Sequence, residues 1–254
     1  MGRFDAKTVI VTGAGTGIGF SVARRFHLEG ANVVLSGRRE QVLREAASQI
    51  TPDMGRLRLV PADIAREADV VNLVAEAVRW TSRVDVLINN AAAMRINKPP
   101  EETTLDEWRS LIDTNVTGTW LCCREAGKVM IGQRSGKIVN IASISGHVVN
   151  KYFHGGSYEV SKAALVMLTK TLATEWAQHN IAVNAIAPGY YDTQPNRDFF
   201  AQEADLYQRV LDLIPLRRLG NLEELAELVL VLASDTANYM TGSTLTIDGG
   251  YTLW

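Results

Sequence analysis

The feature that most limits what this chain can fold into is a rhythm of short β-branched runs alternating with longer amphipathic stretches. Thr8–Val11, Asn32–Leu35, Leu57–Val60, Val84–Ile88, Lys137–Ile141, Ile181–Ile186 and Thr244–Ile247 read as strands. Between most of them lie segments such as Val22–Leu28, Glu40–Ile50, Ala68–Trp80 and Lys162–Gln178, whose apolar residues recur every three or four positions, so they read as helices. Strands separated by helices form parallel sheets through right-handed crossovers that cover both faces. The pattern therefore predicts an α/β chain with a doubly wound parallel sheet. At 254 residues, with no linker, repeat or low-complexity tract, it reads as one domain over 1–254. The main irregular stretch, Pro188–Leu216, carries a helix-like piece around Arg197–Leu213. Long insertions often serve as lids, so a substrate lid is expected at about 190–216, with a purely structural excursion as the competing reading.

Composition narrows the partners. Hydrophobic residues make up 46% and charged residues 21%, which excludes disorder, and 26 basic against 28 acidic residues leave a net charge of -2. No broad field attracts nucleic acid or an anionic membrane. The strongest apolar run, Leu228–Ala233, is too short to span a bilayer, and the first residues lack a signal core, so a soluble, cytoplasmic protein is expected. Cys122 and Cys123 are adjacent, which suits core packing rather than a disulfide or a redox pair. No His, Cys or acidic cluster has metal spacing, so no catalytic metal is expected.

The first strand runs into Thr12-Gly13-Ala14-Gly15-Thr16-Gly17-Ile18-Gly19 and then a helix. Glycines let the backbone turn tightly and let phosphate oxygens approach main-chain N–H groups at a positive helix N-terminus. A dinucleotide diphosphate suits that site, although the spacing departs from GxGxxG and is no P-loop. The turn resembles the Thr-Gly-x-x-x-Gly-x-Gly turn of the short-chain dehydrogenase/reductases. That resemblance implies a Rossmann-type sheet, with Gly13, Gly17 and Gly19 as the family glycines and Thr16 and Ile18 near the cofactor. Asp63-Ile64 after the third strand and Asn89-Asn90-Ala91-Ala92 after the fourth match the family's adenine-contacting Asp and its Asn-Asn-Ala-Gly, with Ala92 in place of the glycine.

The second strand ends at Ser36-Gly37-Arg38-Arg39, where such folds read the adenosine ribose. No acidic residue is present to accept from a 2′-hydroxyl. Arg38 offers a charged fork for a 2′-phosphate and Ser36 a hydroxyl, which favours NADP(H) over NAD(H). The competing reading makes Arg38 and Arg39 a solvated helix start, with Arg38 stacked on adenine.

Tyr158 and Lys162 stand four residues apart, on one face of an expected helix. An ammonium near a phenol lowers its pKa, so the Tyr can exchange a proton with a hydroxyl or carbonyl while hydride moves. Ser143 sits at the carboxyl end of the preceding strand, where open α/β sheets bind ligands, and can hold the substrate oxygen. Asn115 lies within the long helix after the fourth strand, where its amide can organise a water chain towards Lys162. Together Asn115, Ser143, Tyr158 and Lys162 resemble the family's Asn-Ser-Tyr-Lys tetrad. The resemblance spans nearly the whole chain, to Ile247-Asp248-Gly249-Gly250. It implies hydride transfer between a nicotinamide and a secondary alcohol or ketone, with Lys162 also on the nicotinamide ribose and Pro188, Gly189 and Thr193 bordering the nicotinamide.

Within the family, Ser145-Gly146-His147-Val148-Val149-Asn150 and Pro188-Gly189-Tyr190-Tyr191 resemble sugar and polyol members such as gluconate 5-dehydrogenases and mannitol or sorbose reductases. A polyol, keto-sugar or sugar acid is the expected substrate, with His147, Asn150, Tyr190 and Tyr191 as polar contacts and Arg95 for a carboxylate. A 3-oxoacyl-thioester reductase, a reductase of bulky cyclic or steroid-like ketones, and a non-catalytic NADP-binding sensor or scaffold are the alternatives. An acidic lid tilts against carrier-linked thioesters. Family members are commonly homotetramers, and the apolar ending at Trp254 suits burial at such an interface or beside a neighbouring active site.

Overall fold

A computed structural model describes residues 2–254. Its seven strands are β1 (Thr8–Thr12), β2 (Asn32–Gly37), β3 (Leu57–Pro61), β4 (Val86–Asn89), β5 (Gly136–Ile141), β6 (Ile181–Pro188) and β7 (Thr244–Ile247). They form one sheet in the order β3-β2-β1-β4-β5-β6-β7, and every neighbouring pair is parallel. The chain winds outward one way from β1 to β3 and the other way from β4 to β7. The carboxyl ends of β1 and β4 therefore open a crevice at the switch point.

Both faces are buried because strand side chains alternate. Val9 and Val11 of β1 pack with α1 (Gly17–Leu28), α2 (Glu40–Ile50) and α9 (Leu222–Ala233), through Val22, Phe26, Leu43 and Val229. Ile10, between them, joins the opposite core of α3 (Glu67–Thr81), α5 (Thr119–Gln133) and α6 (Ser157–Trp176), through Val70, Leu73, Cys122 and Leu172. Each such side chain, once fully buried, contributes about 1.5–3 kcal/mol. Cys122 and Cys123 are free thiols in this second core. Burial pushes both thiols up, Cys123 to about 12, so neither is a thiolate at neutral pH.

Two elements depart from simple alternation. The helix after β4 begins as α4 (Leu105–Ile112), widens to a π-helical segment over Asp113–Gly118, and continues as α5. A π segment costs hydrogen-bond geometry and recurs at functional sites. The irregular stretch after β6 forms two helices, α7 (Gln194–Gln202) and α8 (Ala204–Leu213). Phe200, Val210 and Ile214 make a small separate core there with Ile144 and Tyr251. No helix among the described residues is long and apolar enough to cross a membrane. Leu253 and Trp254 stand exposed at the end of the chain.

Candidate active site

The glycine turn lies at the mouth of the crevice. Gly13 and Gly17 have φ of +64° and +56°, in the left-handed region that excludes most side chains. Gly19 is required for another reason, since a Cβ there would meet the Gly13 carbonyl oxygen at 2.2 Å. Asn90 locks the turn: its amide Nδ2 donates to Thr12 O (3.0 Å) and Gly13 O (3.1 Å), while the N–H groups of Asn90 and Ala91 donate to Thr12 Oγ1. The Asn90 side chain thus holds the backbone of the glycine turn. A cleft of about 350 Å³ runs from Gly13, Gly15 and Thr16 past Ser36, Arg38 and Asp63, with Ile64 and Ala92 also in its wall. Ile18 and Gly19 turn inward below it, and the Thr193 methyl comes closest to Gly17, 3.8 Å from where its Cβ would stand. Asp63 Oδ1 is half spent, accepting from the Ala65 N–H at 3.1 Å. The Ser36 hydroxyl is buried with no hydrogen-bond partner among the described residues, and Arg38 beside it is exposed. An unpartnered hydroxyl and a solvent-facing guanidinium at the end of β2 fit a phosphorylated nucleotide.

Next to this cleft, and sharing Met94 with it, a second cavity of about 370 Å³ opens against Ser143 and Tyr158. Ser143 caps the short turn Ile144–Gly146, accepting the Ser145 N–H at 3.1 Å. Gly146 lets that turn lie on α6, since a Cβ there would stand 2.8 Å from Lys162 O. Tyr158 and Lys162 project from adjacent turns of α6, with Nζ 5.6 Å from the phenol ring centre. Lys162 is buried, donates to Ile141 O at 2.8 Å, and is pulled down by desolvation to about 8. Burial also moves Tyr158, but upward, against the opposing pull of a Ser143 hydrogen bond and the Arg95 charge. The expected low phenol pKa is therefore not present in the chain alone: desolvation outweighs the charges around it.

Asn115 lies in the π-helical segment, where its Oδ1 accepts the Ala93 N–H at 2.7 Å. Its Nδ2 donates to Ser161 Oγ (3.1 Å) and more weakly to Ala93 O (3.4 Å). These bonds tie the backbone just after the Asn-Asn-Ala-Ala segment to α6 and leave one lone pair of Oδ1 unfilled. Gly118, closing the π segment, lets the segment lie against Ile64, since a Cβ there would meet Ile64 at 2.8 Å.

A family model described as Enoyl-(Acyl carrier protein) reductase matches residues 13–252. The galactitol 2-dehydrogenase (L-tagatose-forming) of Cereibacter sphaeroides is 36% identical over 252 residues, covering 99% of this chain and 97% of that one. The 3beta-hydroxysteroid dehydrogenase 1 of Eggerthella lenta is 39% identical over 250 residues, covering 98% and 94%. A short-chain type dehydrogenase/reductase from Mycobacterium marinum superposes with a TM-score of 0.92 at 36% identity, covering 98% and 96%. The chain is a short-chain dehydrogenase/reductase. It is an oxidoreductase of the alcohol and ketone class, in a family whose members use NAD(P).

For this short-chain dehydrogenase/reductase the remaining expectations divide sharply. Arg95, Asn150, Tyr190 and Gly189 line the cavity at Ser143 and Tyr158, together with Phe153, Phe199 and Phe200. His147 and Tyr191 do not. His147 is exposed on the outer side of its turn. Tyr190 and Tyr191 lie just beyond β6, where the chain bends; Tyr190 enters the cavity, while Tyr191 is buried against the core with its hydroxyl donating to Ile247 O at 3.4 Å. Arg95 is present but not free. It is ion-paired with Glu159, donates to Ser145 Oγ at 3.1 Å, and stacks on Tyr158 and Phe153 at 5.0 and 5.7 Å. A substrate carboxylate would have to displace Glu159. Pro188 ends β6, and Thr193 caps α7, placing it between the two cavities' rims.

Sequence reasoning passed over Ser145, Glu159 and Phe153. Glu159 had a usable signal, since an acid at the third position of a helix closes a capping box, here from the Gly156 N–H at 2.9 Å. Ser145 and Phe153 carried none, because their role comes from the fold of the turn between Ser143 and Tyr158.

Proposed function

We propose that this oxidoreductase moves hydride between NADP(H) and a secondary alcohol or ketone. The observation that carries the reading is Ser143 and Tyr158 side by side in a cavity that adjoins the glycine-turn cleft. Gly13, Thr16, Gly17, Asp63 and Ile64 would hold the cofactor along the cleft, with Ser36 and Arg38 on a 2′-phosphate and Pro188, Gly189 and Thr193 at the nicotinamide end. The bound cofactor supplies the hydride that the carbonyl carbon takes up. In reduction the Tyr158 hydroxyl gives its proton to the substrate oxygen, and the Ser143 hydroxyl donates a hydrogen bond to the same atom. Lys162 uses one of its three hydrogens on Ile141 O, which leaves two for the Tyr158 side and the nicotinamide ribose. Asn115 holds α6 in register with the cleft wall and keeps one Oδ1 lone pair for a water towards Lys162.

The cavity favours a compact ring-shaped ketone with apolar faces. Ile144, Phe153, Tyr190, Phe199 and Phe200 supply its walls. Most of its polar side chains already have partners: Arg95 on Glu159, Asn196 on Tyr191 O, Asn97 on the His154 N–H. Each substrate hydroxyl that left water without a partner there would cost about 1–3 kcal/mol. A polyol or keto-sugar is the second reading, supported by the galactitol dehydrogenase relative and by one unpartnered acceptor, Asn150 Oδ1. The helices at 190–216 act as the lid, bringing Phe199 and Phe200 over the cavity. The exposed Trp108, Trp120, Val160, Met167 and Trp254 fit faces shared between copies in a homotetramer, which molecular mass in solution checks.

A screen of cyclic ketones, keto-sugars, keto-sugar acids and acetoacetyl thioesters, each with NADPH and NADH, tests all of this. Turnover of cyclic ketones with NADPH is the expected result. Activity confined to keto-sugars would move the substrate to the second reading, and a preference for NADH would overturn the role of Arg38.

A further inference from the structure

Ser145 is buried and has three polar neighbours for a hydroxyl that carries one proton and two lone pairs. Arg95 Nη2 lies at 3.1 Å, Asn150 Nδ2 at 2.6 Å, and Ser143 Oγ at 3.2 Å. The first two are N–H donors with nothing to accept a proton, so together they fill both lone pairs of Ser145 Oγ. A third donor would overfill Ser145 Oγ, so the 3.2 Å contact between the two hydroxyls can carry only the Ser145 proton, towards Ser143 Oγ. That oxygen already accepts the Ser145 N–H at 3.1 Å, so its own two lone pairs are now full. The Ser143 proton is thereby turned away from the turn, towards the cavity and Tyr158.

We propose that Arg95, Asn150 and Ser145 are positioning residues that fix the polarity of the Ser143 hydroxyl, making it an obligate donor to the substrate oxygen. The inference rests on the hydride-transfer reading above and adds the device that orients one of its donors. A serine free to rotate would spend part of its time accepting, and in that state it would repel the lone pairs of a ketone. Here the preference is set before substrate arrives, so no reorientation is needed as charge develops on the oxygen.

The amide of Asn150 decides the direction. With its oxygen turned to Ser145 instead, it would take the Ser145 proton, and Ser143 would then donate inward to Ser145. As placed, Asn150 turns Nδ2 to Ser145 Oγ at 2.6 Å, and its Oδ1 has no partner among the described residues. Arg95 reinforces the direction because a guanidinium can only donate, and its pairing with Glu159 on α6 holds it in place.

Asn150→Asp provides a near-isosteric reversal, since an ionised carboxylate can only accept. It should lower kcat for ketone reduction by about ten-fold or more, with the NADPH Kd within about two-fold, because one oriented donor is lost and the cofactor cleft is untouched. Ser145→Ala should cost less, since it leaves Ser143 free rather than reversed. The decisive readout is the double-mutant cycle: in the Ser145→Ala background Asn150→Asp should have almost no further effect on kcat, because its influence travels only through the Ser145 hydroxyl. Additive losses would overturn the proposal, and so would an unchanged kcat in Asn150→Asp alone, whether or not Ser145→Ala folds. Wild-type protein inactive on every ketone would instead refute the hydride-transfer reading, which separates the two failures.

Discussion

The two cavities that meet at Met94 are built on opposite principles. The cleft along β1, β2 and β4 is made of backbone and glycine, and its exposed cation, Arg38, and its buried hydroxyl, Ser36, stand uncommitted. The chamber beyond β5 and β6 is made of side chains, and nearly every polar one is already bonded to another. A diphosphate can be held by main-chain N–H groups and a helix end, which need only the right turn. Positioning a carbonyl oxygen for proton transfer demands donors whose direction is settled in advance, which needs a network. The cleft is thus open to a ligand that brings its own charge, while the chamber is preset for one atom of its ligand.

The sharpest way to break that contrast is Tyr158→Phe. It should lower kcat by about 10²–10⁴-fold and leave the NADPH Kd nearly unchanged, because proton transfer is lost in the chamber while the cleft is untouched. Steady-state rates paired with a fluorescence titration check this, and a wild-type rate in the variant would remove Tyr158 from the reaction.

The reciprocal change is Arg38→Ser. Loss of a charge-assisted contact to a 2′-phosphate should cut kcat/KM for NADPH by about 10–100-fold and leave the value for NADH close to wild type. Equal losses with both cofactors would mean that Arg38 serves adenine rather than the phosphate.

A smaller effect reports the cost of building the chamber. Desolvation lowers Lys162 from 10.5 to about 8. Below that lower value the folded chain carries a buried ammonium at a penalty. Between the two values the unfolded chain still holds the proton that the folded chain has released, so wild-type stability relative to Lys162→Met should rise with pH across that window. Urea unfolding without cofactor measures the difference, and a flat difference would show that Lys162 stays charged when folded.

Much of this was legible along the chain, and unevenly. All seven strands were readable because a buried parallel strand is an unbroken β-branched run, and β2, for example, extended only from Leu35 to Gly37. The glycine turn was readable because positive φ is a local demand that a single residue type meets. The stretch after β6 reads as irregular along the chain, with one helix-like piece, and its division into α7 and α8 depends on Phe200 and Val210 finding Ile144 and Tyr251. The π-helical segment was not read from the sequence: Asp113–Gly118 is made of weak helix formers, but that composition does not distinguish a widened turn from an ordinary one, and the contacts of Asn115 with Ala93 and Ser161 appear only in the fold.

By itself the sequence determined the doubly wound sheet and the glycine turn, because each is written in local periodicity or in a short motif. Only the tertiary structure decided which polar side chains are free to act. Tyr190 and Tyr191 are chemically identical neighbours, and the bend after β6 sent one into the cavity and the other into the core. Arg95 was a candidate for substrate until Glu159, sixty-four residues away, claimed its charge. Availability is a matter of unspent hydrogen bonds, and hydrogen bonds between distant segments are settled only when the chain has brought those segments together.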